Sequence, residues 1–371
     1  MNNSRKAVAI ELKKILDRYQ YHSLIFMLTD GRSMQEPWTE IPEYRLSKLP
    51  QELQKVVRFF YQGKAVELSS DYSQLLSSLE NAGLADQLSG TWKLKELRIV
   101  PIQGLYLIVD LWSPGNHSDQ LQVWLGRDSM FLGQIVQFIS KRKRVLDLCT
   151  GTGIHALINA SAYDAETVEA VDINPRSVFL TEWNALINQL EHKLRVHHGD
   201  LFEPFKGKSF DFIIANPPFL PISEDSQNMI SFANGGNDGL AVLRRILNEC
   251  SDYLKKDGVM VIFCGGFGDD YQPSFSRELD LLTKEKGWST QLYSVSKDPV
   301  KFILNNMGSE FPSMQEGITM MLNDISSDIT SYYNFLICIR NGTDPVFQAI
   351  DCSFSVKERM DQSRRHKKLS Q

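Results

Sequence analysis

Between Asp147 and Cys264 the chain repeats one pattern: a short apolar run, a turn, then a helix-like stretch. RVLDLCTGTG reads as a strand and glycine turn, with the helix IHALINASAYD behind it. TVEAVDIN is a second strand, followed by the helix PRSVFLTEWNALINQL with Pro175 near its start. LRVHHGD, FDFIIANPP and GVMVIFCGG supply three more strands, and GLAVLRRILNECSDYL a helix between the last two. Alternation of this kind is satisfied by parallel strands with helices on both faces. The fold class expected is therefore α/β, with a doubly wound sheet.

At 371 residues the chain is long for one domain. Helical stretches at AVAIELKKILDRYQ, LPQELQKVVRFFYQ and SDYSQLLSSLENAGL precede two strand-like runs, KELRIVPIQ and LYLIVDLW, and the turn SPGNHSDQ. Residues 1–120 are accordingly expected to form an N-terminal α+β domain, winged-helix-like, that recognises substrate. The sheet domain is expected over 121–345, with an irregular insertion at about 270–330 before a last strand, YYNFLICIR. A C-terminal segment with a basic tail would occupy 346–371. The tail residues Arg364, Arg365, His366, Lys367 and Lys368 could grip phosphates, but a solvated terminus is the favoured reading.

The net charge of -5 argues against a surface built wholly for nucleic acid, although a local basic patch stays compatible with it. Five scattered cysteines without a C-x-x-C pair indicate neither a zinc site nor a disulfide framework. They fit a reducing cytoplasm. The N-terminal MNNSRKAVAIELKKIL breaks its apolar residues with charge, as an amphipathic helix does and a signal peptide does not. No apolar run is long enough to span a bilayer, so no membrane role is expected.

In doubly wound sheets ligands bind outside the carboxyl ends of the strands. The first strand ends in Asp147-Leu148-Cys149-Thr150-Gly151-Thr152-Gly153, whose small residues allow a ligand close approach to the backbone. It is not G-x-G-x-x-G and lacks the lysine of a phosphate-binding loop, which disfavours a dinucleotide or ATP. The second strand ends at Asp172, roughly 20 residues beyond the glycines, where an acid can accept both ribose hydroxyls of a nucleoside. The third ends in Gly199-Asp200-Leu201-Phe202, with Asp200 placed for an adenine amino group. A nucleoside cradle without phosphate machinery points to S-adenosylmethionine (SAM).

DLCTGTG, DIN, GDLF and NPPF in this order resemble the class I SAM-dependent methyltransferases with their Rossmann-like sheet. Within them they are similar to the small-domain N-methyltransferases, which act on glutamine side chains or on rRNA and tRNA bases. Gly235-Gly236-Asn237-Asp238-Gly239-Leu240 matches the GG-x-DGL segment of that group. The resemblance implies cofactor contacts at Asp147, Cys149, Thr150, Gly151, Gly153, Asp172, Ile173, Asp200, Leu201 and Asn216. Cys149 replaces the first glycine of the commonest motif and is read as packing. By the same analogy Arg127, Asp128 or Ser129 would touch the methionine moiety, with a helix cap by Asp128 or Ser129 as the equal alternative.

FDFIIA is a strand stopped by Asn216-Pro217-Pro218-Phe219. Transfer of a methyl group requires one lone pair to be oriented, and a planar nitrogen becomes positive as it attacks. Acceptors on its N–H bonds then strengthen in the transition state. Asn216 offers a side-chain oxygen and Pro217 a carbonyl. Neither proline has an N–H to interfere. Phe219, with Pro218, offers a flat face to an amide or a base. Catalysis is thus assigned to Asn216, Pro217 and Phe219, and substrate contact to Pro218 and Phe219. A nucleic-acid base is the leading substrate; a small-molecule or peptide metabolite and a protein glutamine are the alternatives, and a non-catalytic SAM-binding module is the remote one. The oligomeric state stays open.

Other residues receive plainer readings. His197-His198 is expected to be a structural pair, with no metal site assigned. His155 is expected to pack beside the glycine turn, and Trp183 to lie in the core. Gly265, Gly266 and Gly268 are expected in a loop flanking the substrate.

Overall fold

A computed structural model of the chain describes residues 3–34, 36, 38–111, 123, 125–136, 143–162, 165–221, 234–310, 315–342 and 344–355. Five helices come first: α1 (Asn3–Arg18), α2 (Tyr21–Leu28), α3 (Glu43–Leu46), α4 (Gln51–Phe60) and α5 (Ser73–Asn81). Two hairpins follow, β1 (Ala85–Leu88) with β2 (Thr91–Leu94), and β3 (Leu97–Ile102) with β4 (Leu105–Asp110). Gln103 and Gly104 join β3 to β4 with φ of 49° and 80°, the left-handed pair that a tight two-residue hairpin demands.

Next come α6 (Arg127–Val136), β5 (Arg144–Leu148), α7 (Ile154–Ala162), β6 (Thr167–Asp172), α8 (Pro175–Ile187), β7 (Leu194–His198) and β8 (Phe210–Ala215). The last stretch holds α9 (Ala241–Glu249), β9 (Leu254–Gly268), α10 (Ser276–Lys286), β10 (Trp288–Pro299), α11 (Val300–Glu310), α12 (Gln315–Asp324), β11 (Ser331–Asn341) and β12 (Val346–Phe354). From β5 to β9 strands and helices alternate as the sequence pattern requires, and the chain has the α/β, Rossmann-like class expected. The stretch expected to be irregular instead contains α10, β10, α11 and α12. β10 alternates buried and half-buried positions along almost its whole length, but its inward residues include Thr290, Ser294 and Ser296, which hid the pattern. The turn SPGNHSDQ and the basic tail lie outside the described residues.

The chain divides into two compact units. The first takes residues up to 113, 122–142 and 150–200; the second is built from 143–149 and from 201 onward. In the first, β6 and β7 pair in parallel, with Asp172 level with His198. α1 lies on α8, where Arg5 sits over the rings of Phe179 and Trp183 and pairs with Glu182 at 3.3 Å. Lys6 pairs with Glu191 at 2.7 Å.

The hairpin β3–β4 is joined to α8 by two asparagines one helical turn apart. Asn188 accepts from the Tyr106 amide (2.9 Å) and donates to its carbonyl (2.7 Å). Asn184 does the same for Ile108, accepting at 2.7 Å and donating at 3.1 Å. The amides take the place of a neighbouring strand, because a helix advances about 6 Å in four residues and a strand about 6.8 Å in two.

In the second unit the strand order is β12-β10-β11-β9-β8-β5. β5, β8 and β9 are mutually parallel, β11 is antiparallel to both β9 and β10, and β12 runs parallel to β10 at the edge. The inner strands carry large buried side chains, among them Phe212, Ile262 and Phe335. Among the described residues no helix is long and apolar enough to cross a membrane.

Asn184 is fully buried and satisfies three backbone groups, since its amide nitrogen also donates to the Thr152 carbonyl at 2.9 Å. Asn184→Ala leaves those groups unpaired in the interior, where each costs about 1–3 kcal/mol. We expect a loss of about 2–4 kcal/mol, read as a lower urea midpoint, with a smaller loss for the half-buried Asn188.

Candidate active site

The residues singled out in the sequence fall in both units. Thr150, Gly151, Gly153, Asp172, Ile173 and Asp200 belong to the first; Asp147, Cys149, Leu201, Asn216, Pro217, Pro218 and Phe219 belong to the second.

In the first unit the glycine turn is held from three sides. The Thr150 amide donates to the Val171 carbonyl at 3.1 Å, the Thr181 hydroxyl to the Gly151 carbonyl at 3.0 Å, and Asn184 to the Thr152 carbonyl. Gly151 and Gly153 have φ of 55° and 79°. A Cβ on Gly153 would stand 2.6 Å from the Thr181 methyl, a β-branched side chain with little room to move. Gly151 has open space where its Cβ would lie, with Val123 at 4.0 Å.

Asp172 closes the same turn. One carboxylate oxygen accepts from the Gly151 amide and the other from the Asn174 amide, both at 2.9 Å. Burial pushes its pKa above the usual carboxylate value, against the pull of those donors. The Ser177 side chain bonds the same carboxylate, which is thus held by three donors from the turn and from α8. Ile173 beside it is 67% exposed, an apolar surface next to the acid. A carboxylate fixed at a strand end, an exposed apolar neighbour and an unobstructed glycine turn fit the nucleoside of SAM.

Asn174 caps α8, accepting from the Arg176 amide at 2.9 Å with Pro175 at the first helical position. Arg176 in turn grips Asp110 at the end of β4 (Nε to Oδ1, 2.9 Å), and Asp110 also accepts from the Val123 amide at 2.6 Å. None of Asn174, Arg176, Thr181 and Asn184 was selected from the sequence. The spacing of four residues between Asn184 in α8 and Asn188 at its C-terminal cap was the signal available.

In the second unit Asp147 is fully buried. Cys149, half-buried, and Leu201 hold φ of 55° and 46°, a left-handed conformation that costs a side-chain-bearing residue roughly 1–2 kcal/mol. That cost explains why glycine is the commoner residue at the position of Cys149 in the family's motif.

β8 releases the chain into Asn216, half-buried, and Pro217, buried. The Phe219 ring meets Phe263 edge-on at 5.9 Å. The backbone of Gly239, at φ 81°, approaches the Phe219 carbonyl too closely to admit any Cβ, and Gly235 is pressed in the same way against the Gly239 carbonyl. The Gly235 amide donates to the Leu220 carbonyl at 2.9 Å, and Leu220 bridges Asn234. NPPF and GGNDGL are therefore two halves of one clasp, and its glycines are there for the close approach. Asp238 stiffens it by accepting from the Leu240 amide at 3.0 Å and pairing with Arg244 at 2.7 Å.

Gly265, Gly266 and Gly268, expected in a loop, lie in β9 instead. Gly265 makes room for the Phe219 ring, whose Cδ2 would be 2.9 Å from a Cβ there. Arg127 pairs with Glu36 and covers the Trp38 ring at 6.0 Å. Ser129 is buried, and its carbonyl meets His155 Nε2 at 3.0 Å. His155 is buried and packs as expected, its pKa pushed down to about 4 by desolvation. His197 pairs with Glu169 at 2.5 Å, and His198 meets the Ile173 carbonyl at 3.0 Å. Trp183 is fully buried.

These features define a SAM-dependent methyltransferase domain. The family model "Methyltransferase small domain" matches residues 128–277. A protein of Methanocaldococcus jannaschii, provisionally named a protein N5-glutamine methyltransferase, is 36% identical over 169 residues, which cover 44% of this chain and 80% of its own. The ribosomal protein uL3 glutamine methyltransferase of Bradyrhizobium diazoefficiens is 35% identical over 141 residues, 36% of this chain and 44% of the relative. The chain thus spans less than half the length of that enzyme. Among solved structures, the tRNA m1G37 methyltransferase of M. jannaschii aligns with 18% identity and a TM-score of 0.41, covering 70% of this chain and 60% of the other. The chain belongs to the methyltransferase small domain family.

His155 makes stability depend on pH. Its folded pKa is depressed, so the unfolded chain takes up a proton that the folded chain refuses as pH falls from 6.5 towards 4. The stability present above pH 6.5 should drop by about 2 kcal/mol on reaching pH 5 from this group alone. Urea titrations of the wild type and His155→Gln at both pH values check this, the variant showing the flatter profile. At the turn, Gly153→Ala should weaken binding of S-adenosylhomocysteine (SAH) at least tenfold by isothermal titration.

Proposed function

We propose that the chain methylates the side-chain amide of a glutamine within a polypeptide, with SAM as donor. The observation that carries this reading is the clasped lip Asn216–Phe219. It is a rigid pair of hydrogen-bond acceptors beside an aromatic face, built where a strand of an α/β sheet ends. SAM, when bound, supplies an electrophilic methyl group on a sulfonium. Asp172 and the backbone from Thr150 to Gly153 are the first unit's residues that would hold its nucleoside, with Ile173 against the base and Asp200 at its amino group. Asp147, Cys149, Leu201 and Asn216 are the second unit's cofactor contacts in the same reading.

An amide nitrogen is a poor nucleophile because its lone pair is delocalised. The Asn216 side-chain oxygen and the Pro217 carbonyl accept its two N–H bonds, and both interactions strengthen as positive charge grows on the nitrogen. The prolines fix φ and keep competing N–H donors away from the amide. Phe219, with Pro218, holds the amide plane. The product sheds its extra proton readily, so no side chain is required as base.

The sequence alone favours a nucleic-acid base. The glutamine is preferred because the two relatives described above are named for protein glutamine. Arg244, a cation beside the GGNDGL segment, is also already engaged by Asp238 and Glu278. Action in the cytoplasm on a soluble polypeptide is part of the same proposal.

The test is transfer of labelled methyl from SAM into separated protein, RNA and metabolite fractions of the host. Label in protein, released as methylamine on hydrolysis, is the expected outcome; label confined to RNA would refute the glutamine. Asn216→Ala should lower kcat about 100- to 1,000-fold, with SAH affinity changed far less.

A further inference from the structure

We infer that Tyr332 is a positioning residue for the acceptor lip, acting through the carbonyl of Phe219. The inference rests on the proposed reading of Asn216–Phe219 as that lip.

β11 begins at Ser331, which pairs with Gly268 at the end of β9. β9 runs parallel to β8, so the start of β11 lies at the edge where β8 releases Asn216. Tyr332 is buried there and its hydroxyl donates to the Phe219 carbonyl at 3.3 Å. Gly265 makes the contact possible, since a Cβ on it would collide with the Tyr332 hydroxyl and lie 2.9 Å from the Phe219 ring. Burial holds the phenol far above its ordinary pKa, so it stays protonated and remains a donor.

The support behind Tyr332 is continuous. Its ring meets Phe267 edge-on at 5.6 Å. Phe267 and Leu220 both pack on the small core of Val300, Leu304, Met307 and Ile318 from α11 and α12. Phe267, which backs Tyr332, and Leu220, which follows the lip, thus rest on the same helical pair.

The mechanical consequence follows from the two prolines. Pro217 and Pro218 have fixed φ, so few torsions separate the end of β8 from Phe219. The direction of the Pro217 carbonyl is then set by its two ends, Ala215 in the sheet and the Phe219 carbonyl under Tyr332. Removing the hydroxyl frees one end without touching Asn216, the prolines or the Phe219 ring.

The experiment compares the full-length wild type, Tyr332→Phe and Gly265→Ala. Hydrogen exchange is read at the Gly235 amide, which bonds the Leu220 carbonyl, and at the Gly151 amide, which bonds Asp172. We expect exchange at Gly235 to rise about tenfold in both variants, with Gly151 and the SAH Kd unchanged. With a methyl-accepting polypeptide, kcat should fall about tenfold while KM for SAM holds. Unchanged exchange at Gly235 in a folded variant, or a wild-type kcat in Tyr332→Phe, overturns the inference. If Tyr332→Phe does not fold, Gly265→Ala, which crowds the same hydroxyl together with the Phe219 ring, still overturns the inference should its Gly235 exchange stay at the wild-type value. Wild type that transfers no methyl would refute the proposed reaction, while the exchange comparison would still decide whether Tyr332 fixes the lip.

Discussion

The pairing of Asn184 and Asn188 with the backbone of β4 is the interaction on which the first unit depends. A two-stranded hairpin leaves one edge of each strand unpaired, and buried peptide groups at such an edge need partners. Two side-chain amides on α8 provide them, at a spacing that matches alternate residues of the strand. Because the Asn184 amide also holds the Thr152 carbonyl, the hairpin and the glycine turn are fixed by one side chain. The route from β4 continues through Asp110 and Arg176 to Asn174, whose backbone amide meets Asp172. The carboxylate assigned to the ribose is thus oriented by a run of hydrogen bonds that begins in the N-terminal segment.

The second unit solves a similar problem by close backbone approach. The proposed acceptor lip has two prolines and so lacks the amides with which a loop usually ties itself down. Fixation comes instead from carbonyls that accept: Phe219 from Tyr332, Leu220 from Gly235. Both contacts need glycines nearby, Gly239 against the Phe219 carbonyl and Gly265 beneath its ring. A rigid lip is what the proposed reaction of an unreactive amide requires, since the gain comes from acceptors already in place when charge develops.

How much of this was legible in the sequence depended on the range of the interaction. The alternation from β5 to β9 and the strand-end motifs could be read because local period and turn chemistry carry them. The hairpin β3–β4 was readable for the same reason. β10 was missed because its inward face carries Thr290, Ser294 and Ser296, so polarity did not report burial. β12 was missed because its residues are largely exposed or half-exposed, so no buried face marks the strand that pairs with β10. Gly265 and Gly266 looked like loop glycines, yet both are strand residues, and Gly265 is kept small by Tyr332 and Phe219 lying against it. Asn184 and Tyr332 act on residues 76 and 113 positions away, and no window on a single sequence joins such pairs.

Gly153 and Thr181 carry a consequence for how this chain can change. Thr181 can shorten to serine and keep a hydroxyl for the Gly151 carbonyl, so that step is open at any time. Gly153 has no such freedom while the threonine methyl stands against it. Even after Thr181 has shortened, its left-handed backbone penalises every side chain. Variation at the two sites therefore has an order: position 181 moves first, and position 153 stays glycine. Drift around this turn should accumulate on the α8 side and leave the glycine as the fixed point.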